Sequence, residues 1–401
     1  MDLLDKLRAV SRRMEPHAGA KSRPFLTTID ALLNPGEVLI QGRRTLMFGS
    51  NNYFGLTGHP EVLAAAKDAI DLYGSGTTGS RIANGTFATH EALERDFARF
   101  FGMREASIFT TGYQANLSMV GALCGPGDVI FLDAESHASL YDATRMCGAE
   151  AVWVQHNSPA NLEKKLARLP AQGKNRLVVV EGLYSIHGDV SPLKELVAVC
   201  KAHDAYILVD EAHSFGIYGE RGLGCAEDQG VLDDVDFIVG TFSKTLGGVG
   251  GFCVSNHPEL REIYFAARAY AFTASGTPAS VAGVRAALEI IGRDRSFRDR
   301  LWDNVRAFRS GLRRVGFDIG PHESPLIPVY TGEEEATVSL WQGLLEAGVY
   351  VNVVVPPGCP KGHCLLRTSC SAAHTLEQVE EAVSIFAAVG SRLGFTPVAA
   401  G

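Results

Sequence analysis

The chain has no apolar run long enough to cross a membrane. Its longest apolar segments, such as AYILVD and VIFLD, have the length of a strand, well below the roughly 20 residues that a membrane-spanning helix needs. The N-terminus, MDLLDKLRAVSRRMEP, lacks an apolar signal core, which favours a short amphipathic helix and a cytoplasmic location. The sequence leaves peripheral contact with a membrane surface open.

Paired cysteines, metal-binding clusters and excess positive charge are also missing. The eight cysteines are scattered, with no CxxC pair and no His/Cys cluster at zinc spacing, so we expect reduced thiols and no metal site. A net charge of -8 disfavours nucleic acid as a partner. The 401 residues, 46% of them hydrophobic, can bury a large core in about two domains.

Neither common phosphate-binding loop is present. No GxxxxGK[ST] sequence occurs, and GSGTTG at 74–79 matches the dinucleotide pattern GxGxxG only in its letters. That pattern requires a strand before it, whereas PEVLAAAKDAIDLY is predicted as a helix, with Pro60 in its first turn and Gly74 past its end. A nicotinamide dehydrogenase is therefore disfavoured.

Strand-like and helix-like segments alternate through the middle of the chain. Short apolar runs such as RLVVVEG and DFIVGTF are separated by helical stretches such as PLKELVAVCKAHD. Strands that are apolar on both faces and joined by helices predict an α/β fold with a mostly parallel sheet covered by helices. The predicted domains are an N-terminal arm (1–48), a large domain (49–280) and a smaller α+β C-terminal domain (281–401).

Four polar features fall where predicted strands end. VDEAHSFG places Asp210 and His213 after one strand, and TFSKT places Lys244 after the next. SHAS places His137 after a third strand, and TTGYQANLS begins a helix near Tyr113, whose free N–H groups suit a phosphate. Because open parallel sheets bind ligands at the carboxyl ends of their strands, we expect one shared site.

This set of groups matches the needs of pyridoxal 5'-phosphate (PLP). The cofactor requires a lysine for a Schiff base, an acid beside the pyridine nitrogen, a flat group over the ring and donors for the phosphate. Lys244, Asp210, His137 and the helix start supply one candidate each. The sequence therefore predicts a PLP enzyme.

The chain resembles the α-oxoamine synthase family of fold-type I (aminotransferase-like) PLP enzymes. The resemblance runs from NNYFGLT to LLRTSCSAAHT and rests on motifs in the family's order, among them GSGTTGSRIANGT, FTTGYQANL, EGLYSIHGD, VDEAHSFG, VGTFSKT and YAFTAS. It is strongest with the bacterial serine palmitoyltransferase branch. A non-catalytic partner subunit of the kind known in eukaryotes would be expected to lack the lysine that this chain has at Lys244.

The resemblance assigns a role to each motif residue. Lys244 would form the Schiff base and later remove the substrate's α proton, and Asp210 would pair with the ring nitrogen. His137 would stack on the ring, and His213 would bond the phenolic oxygen. The other contacts that it implies are Ser185 beside the ring; Gly112, Tyr113, Thr241, Ser243 and, across a homodimer interface, Thr273 at the phosphate; and Arg367, Ser80 and Asn52 at the substrate.

The implied reaction condenses an amino acid with an acyl-CoA and releases CO2. With L-serine and a long-chain acyl-CoA such as palmitoyl-CoA it gives 3-ketosphinganine and begins sphingolipid synthesis. Ser80, where glycine-using members carry threonine, favours serine. Val355 stands where the serine palmitoyltransferase branch has an arginine that also contacts the carboxylate. Val355 favours the alternative, a member that uses glycine or alanine with a different acyl-CoA, of the aminoketobutyrate ligase or amino-oxononanoate synthase type.

Overall fold

The protein is described here by a computed structural model that covers residues 2–14, 24–169 and 175–395. The ends of two predicted helices, at Met1, Glu15, Pro16 and Pro170, lie outside these ranges. Within the described ranges, no helix is both long and apolar enough to cross a membrane.

Contacts divide the chain into two units. The larger is Phe54–Arg298, and the smaller joins Met1–Tyr53 to Asp299–Gly401. The N-terminal segment is therefore grouped with the C-terminal part of the chain, whereas the sequence suggested a separate arm. The predicted boundaries near residues 48 and 280 differ from this partition and stay a prediction.

The secondary structure follows the predicted alternation. The strands are β1 Ala31–Asn34, β2 Glu37–Ile40, β3 Arg43–Met47, β4 Glu105–Phe109, β5 Val129–Asp133, β6 Glu150–Val154, β7 Arg176–Glu181, β8 Tyr206–Asp210, β9 Phe237–Thr241, β10 Gly251–Ser255, β11 Leu326–Gly332, β12 Val349–Tyr350, β13 Asn352–Val354 and β14 Cys364–Ser369. The helices are α1 Leu3–Met14, α2 Pro60–Tyr73, α3 Ala88–Phe101, α4 Gly112–Leu123, α5 Ala138–Cys147, α6 Pro159–Leu166, α7 Leu193–Ala202, α8 Cys225–Asp228, α9 Ile263–Ala266, α10 Arg268–Ala271, α11 Pro278–Arg293, α12 Ser296–Arg314, α13 Glu334–Glu346 and α14 Leu376–Arg392.

A seven-stranded sheet with the order β4-β10-β9-β8-β7-β5-β6 forms the centre of the larger unit. Its neighbouring strands are parallel, apart from β10, which is antiparallel to both β4 and β9. Every residue of β5, β7, β9 and β10 is buried, which explains why these strands are apolar on both faces. The predicted mostly parallel, helix-covered sheet is confirmed.

The core of this unit lies between the sheet and the helices that follow its strands. Met119 and Val120 of α4 and Leu140 of α5 pack with Ile130 and Leu132 of β5 in one buried cluster. Burying a side chain of this size contributes about 1.5–3 kcal/mol. This packing fixes the starts of α4 and α5 against the carboxyl edge of the sheet.

The helix α2 accounts for the misleading glycine pattern. It begins with Pro60 at its first turn, where the missing N–H costs no hydrogen bond, and the side chain of His59 accepts from the Glu61 N–H. It ends at Gly74, whose φ of 78° favours glycine. A helix therefore precedes GSGTTG, as predicted.

The smaller unit contains two short sheets. One has the order β1-β2-β3-β12, in which β3 and β12 are parallel, and the other has the order β11-β14-β13. The helix α14 begins with a capping box, in which Thr375 and Gln378 each accept the other's backbone N–H. The unit is α+β, as its sequence pattern indicated.

Candidate active site

A cavity of about 270 Å³ opens at the carboxyl edge of the parallel strands in the larger unit. It is lined by eight of the predicted site residues: Gly112, Tyr113, His137, Asp210, His213, Thr241, Ser243 and Lys244. These residues follow the ends of four separate strands. Because β7, β8 and β9 pair side by side and in parallel, their carboxyl ends lie next to one another. The structure thus assembles in one place the groups that the sequence separates by up to 132 positions, Gly112 to Lys244.

Lys244 lies in the connection between β9 and β10. Phe242 donates its N–H to the Gly250 carbonyl at 2.9 Å, and Gly248 donates to the Phe242 carbonyl at 2.9 Å, so the connection closes on itself. The Thr241 hydroxyl bonds the Ser243 hydroxyl at 2.9 Å. The two hydroxyls that precede the lysine are thereby bonded to each other, at the end of a fully buried strand.

The start of α4 provides backbone donors at the cavity. Thr111 caps the helix by accepting the Gln114 N–H at 3.0 Å, and the first N–H groups of an α-helix have no intrahelical partner. A Cβ on Gly112 would lie 2.7 Å from Cβ of Thr241, so no larger residue fits without displacement. The glycine allows the helix start to approach the Thr241 hydroxyl closely.

Asp210 is held by two donors. Its Oδ2 accepts from Nδ2 of Asn116 at 2.8 Å, and its Oδ1 accepts from the Ala212 N–H at 2.9 Å. The carboxylate is buried, with 6% of its surface exposed, and His213 is buried beside it in the cavity lining. The two donors fix the orientation of the carboxylate at the cavity.

His137 begins α5 and is oriented from two sides. Its Nδ1 bonds the Ser139 hydroxyl at 2.7 Å, and its backbone N–H donates to Glu181. Burial lowers the pKa of His137, with Lys244 nearby acting in the same direction, so its ring is neutral near pH 7. Ser139 also accepts from Asn116 at 2.9 Å, which links His137 to Asp210 through one chain of side chains.

Glu181 is a second carboxyl group in the cavity lining, beside Asp210 in the register of β7 and β8. Burial raises its pKa well above the ordinary value, and the neighbouring Asp210 acts in the same direction. Two ionised carboxylates this close together would repel each other in a poorly solvated site. Both effects favour the protonated form of Glu181.

These groups fit PLP. The cavity offers a lysine, a carboxyl group, a flat imidazole and a helix start flanked by hydroxyls. Among the described residues, Oδ1 of Asn116 is buried without a hydrogen-bond partner. A buried oxygen without a hydrogen-bond donor lowers the stability of the folded protein unless a donor binds beside it.

Three predicted residues of the larger unit lie outside this cavity lining. Ser185 is in the turn that the Tyr184 N–H closes by donating to the Asp189 carbonyl at 2.9 Å. Ser80 pairs with Ala274 in an isolated bridge. Thr273, which the resemblance assigns to the site across a dimer interface, donates its hydroxyl to the Ala269 carbonyl at 2.7 Å. Their predicted roles stay predictions.

The two predicted substrate residues of the smaller unit, Arg367 and Asn52, each make hydrogen bonds within that unit. Arg367 donates to Oδ1 of Asn51 at 3.0 Å, and burial lowers its pKa while Tyr53 acts against this shift. Asn52 instead accepts the Ser371 hydroxyl through its backbone carbonyl at 2.7 Å. Asn51, the first asparagine of NNY, is thus a partner of Arg367 that the sequence did not indicate, and the substrate role of Asn52 stays a prediction.

Sequence reasoning missed half of the cavity lining, including three residues whose side chains bond the predicted groups. Asn116, Ser139 and Glu181 line the cavity and hold the predicted groups in place. Asn116 lies four positions after Gly112 and therefore on the same face of α4. The sequence could have indicated Asn116 by this helical spacing, and Glu181 only by its position at the end of a strand.

The sheet and its cavity define a PLP enzyme of fold type I. The chain belongs to the aminotransferase class I and II family, whose profile matches residues 43–386. A serine palmitoyltransferase of Caulobacter vibrioides is 46% identical over 394 residues, 98% of either chain. A solved structure described as SPT with PLP as an internal aldimine is 43% identical with a TM-score of 0.96, covering 98% of this chain and 100% of that one. An 8-amino-7-oxononanoate synthase of Geobacter sulfurreducens is 38% identical over 359 residues, 89% of this chain and 92% of its own.

These similarities confirm the predicted family, fold class and cofactor. The chain is a PLP-dependent transferase that resembles serine palmitoyltransferases over its whole length. The amino-oxononanoate synthase is a more distant relative, in keeping with its place as the alternative. The roles of individual residues are not tested by similarity and stay predictions.

Proposed function

We propose that the protein condenses L-serine with palmitoyl-CoA to form 3-ketosphinganine, CoA and CO2, the first step of sphingolipid synthesis. The observation that carries the proposal is the meeting of Lys244 and Asp210 at one cavity in a chain that is 46% identical to a serine palmitoyltransferase. This reaction makes the protein an acyltransferase.

The cofactor in this proposal is held by the residues of the cavity. Lys244 would bind its aldehyde carbon, Asp210 would pair with the ring nitrogen, and His137 would cover the ring. His213 would bond the phenolic oxygen. The start of α4, Gly112 and Tyr113, would bind the phosphate together with the hydroxyls of Thr241 and Ser243. From outside this cavity lining, the partner subunit's Thr273 would add a phosphate contact and Ser185 would lie beside the ring.

Bound PLP supplies an electron sink for the electron pair left when the amino acid loses its α proton. Lys244 would take that proton on Nζ. Arg367, oriented by Asn51, binds the substrate carboxylate, with Asn52 and Ser80 beside the substrate. Because Nδ1 of His137 is engaged with Ser139, its Nε2 is the nitrogen that remains to polarise the thioester carbonyl.

The bond changes balance without a redox partner. A C–C bond forms between the α carbon and the acyl carbonyl carbon, and the C–S bond of the thioester breaks, so that CoA leaves as a thiol after taking up a proton. The former carboxylate then leaves as CO2, and a proton takes its place on the α carbon. The product is an α-amino ketone.

The proposed assembly is a homodimer in the cytoplasm with active sites shared between subunits. Its support is the assignment of Thr273 to the phosphate of the neighbouring subunit, because within one chain Thr273 bonds Ala269 and lies outside the cavity lining. Mixing Lys244→Ala with Thr273→Ala subunits tests this arrangement. Partial recovery of activity in the mixture supports shared sites, and no recovery contradicts them.

A glycine- or alanine-using synthase is the second candidate, and Val355 is the observation that favours it. Val355 is buried in the smaller unit with 6% of its surface exposed, and its carbonyl accepts the Gly358 N–H at 2.8 Å. An apolar side chain gives no hydrogen bond to a carboxylate. Binding of serine should therefore be weaker than in relatives with arginine there, by about 1.5–3 kcal/mol for one charge-assisted hydrogen bond.

The test is CoA release from palmitoyl-, succinyl- and acetyl-CoA, each paired with serine, glycine, alanine and threonine. We expect the highest kcat/KM with serine and palmitoyl-CoA, and none in the Lys244→Ala variant. Highest turnover with glycine, or with a short acyl-CoA, would assign the protein to another branch of the family.

A further inference from the structure

A second ionic cluster lies outside the cavity lining and is centred on His156. Its Nδ1 contacts Oδ1 of Asp133 at 2.8 Å, and its Nε2 contacts Oδ2 of Asp189 at 2.6 Å. Glu135 approaches the same Nε2 at 3.7 Å, and the edge of the ring packs on Tyr184 with centroids 4.4 Å apart. The two aspartates are buried, while His156 is partly buried.

The geometry requires a doubly protonated ring. A neutral imidazole donates from one nitrogen only, whereas an ionised carboxylate only accepts, so contacts from both nitrogens to Asp133 and Asp189 need two N–H groups. The titratable groups that face His156 are those two aspartates, Glu135 and Tyr184. The hydrogen bonds to Asp133 and Asp189 outweigh burial and raise the pKa of His156 to about 10.

The cluster joins three separate connections of the larger unit. Asp133 ends β5 and precedes the turn that leads to His137. Asp189 belongs to the turn that contains Ser185, which is closed by the bridge between Leu183 and Val190. His156 itself follows β6.

Asn157 strengthens the same junction. Its N–H donates to Oδ2 of Asp133 at 2.9 Å, and its Nδ2 donates to Oδ2 of Asp189 at 2.7 Å. It does so with a φ of 50°, a left-handed conformation in which asparagine is enriched among residues other than glycine. The two aspartates are therefore bridged twice, by a cation and by an amide.

We propose that His156 is a positioning residue, a link between Asp133 and Asp189 that fixes the turn leading to His137 and the turn that holds Ser185. This inference rests on the proposed function, because those two turns matter to the reaction only if they border the bound cofactor. His156 does not line the cavity, so it acts through the backbone on either side.

The experiment compares His156→Gln with His257→Gln in the PLP-loaded enzyme. His257 is the matched control, since its Nε2 bonds Oδ1 of Asp236 at 2.9 Å and Asp236 precedes β9 at the opposite edge of the sheet. We expect His156→Gln to lower kcat about 10²-fold, the effect of a displacement near 1 Å at the reacting groups. Visible circular dichroism of the cofactor should change, and hydrogen exchange should quicken in residues 134–141 and 183–191.

His257→Gln should leave all three readouts unchanged. A folded, PLP-loaded His156→Gln enzyme with wild-type kcat and dichroism would overturn the proposal. The dichroism and exchange readouts need no acyl-CoA, so they separate failure of this inference from failure of the proposed substrates.

A measurement on the unmodified enzyme covers the case in which His156→Gln does not fold. Proteins labelled with ¹⁵N-histidine, wild type and Asp189→Asn, are compared by NMR between pH 6 and 9. We expect both ring nitrogens of wild-type His156 to stay protonated throughout, and Asp189→Asn to lower kcat about tenfold through the same loosened turns. Loss of a ring proton within that range in the wild type, or unchanged turnover in Asp189→Asn, would refute the positioning role.

Discussion

Replacing Asp210 by asparagine tests how the site holds a charged ring nitrogen. The wild-type carboxylate accepts from Asn116 at 2.8 Å and from the Ala212 N–H at 2.9 Å, and it has remaining lone pairs for the cofactor. An amide has a single oxygen, so its NH2 group must face either one of these donors or the ring nitrogen. Either the local network or the contact with the ring is therefore lost.

The size of the effect follows from the charge. A hydrogen bond to an ionised group contributes about 1.5–3 kcal/mol, and a neutral amide cannot stabilise a pyridinium by charge pairing. We expect a loss of about 3 kcal/mol in transition-state stabilisation. Since about 1.4 kcal/mol corresponds to a tenfold change in rate, Asp210→Asn should lower kcat about 10²-fold while PLP stays bound.

The assay is the initial rate of CoA release at saturating substrates, with PLP content from absorbance and folding from thermal melting. Asp236→Asn is the matched control, because Asp236 also accepts a backbone N–H, from Ile207 at 2.8 Å, but at the opposite edge of the sheet. That variant should keep wild-type turnover. Turnover near wild type in Asp210→Asn would refute the reasoning and show that another group protonates the ring.

Two further changes probe the cavity. Gly112→Ala should weaken PLP binding at least about tenfold, because its Cβ would lie 2.7 Å from Thr241. The control is Gly121→Ala on the same helix, whose Cβ meets nothing within 4 Å and which should stabilise the fold by about 1 kcal/mol. Equal PLP affinities of the two variants would contradict this prediction. Glu181→Gln should keep turnover within about threefold, because the raised pKa favours the neutral carboxyl, which an amide resembles, while Glu181→Ala should slow turnover by freeing the His137 N–H. In urea unfolding, the free energy of unfolding of the wild type should fall relative to that of Glu181→Gln as the pH rises. The fall should begin near the pKa of this carboxyl in the unfolded chain and end above its pKa in the folded protein. Parallel pH profiles of the two proteins would mean that Glu181 is ionised.

The sheet and the edge that carries the site could be predicted from the sequence. Strands such as β7 and β9 are buried over their whole length, so their apolar runs stand out from the amphipathic helices between them. Polar residues directly after such runs must lie at the carboxyl edge. This reasoning located Asp210, His137 and Lys244 before any contact was known.

The supporting side chains were harder to predict because they depend on packing between elements. Asn116 contacts Asp210 across 94 positions of sequence, and nothing local to either residue indicates that bond. Arg367 likewise contacts Asn51 across 316 positions of sequence. The parallel pairing of β3 with β12 likewise joins segments some 300 residues apart.

The central claim is that PLP is bound covalently at Lys244, and borohydride reduction followed by peptide mapping tests it most directly. Reduction of the purified holoenzyme should place the pyridoxyl label on the peptide that contains TFSKT, and Lys244→Ala should show no label there. A label on any other lysine, or no label in protein that is folded and loaded with PLP, would contradict the account.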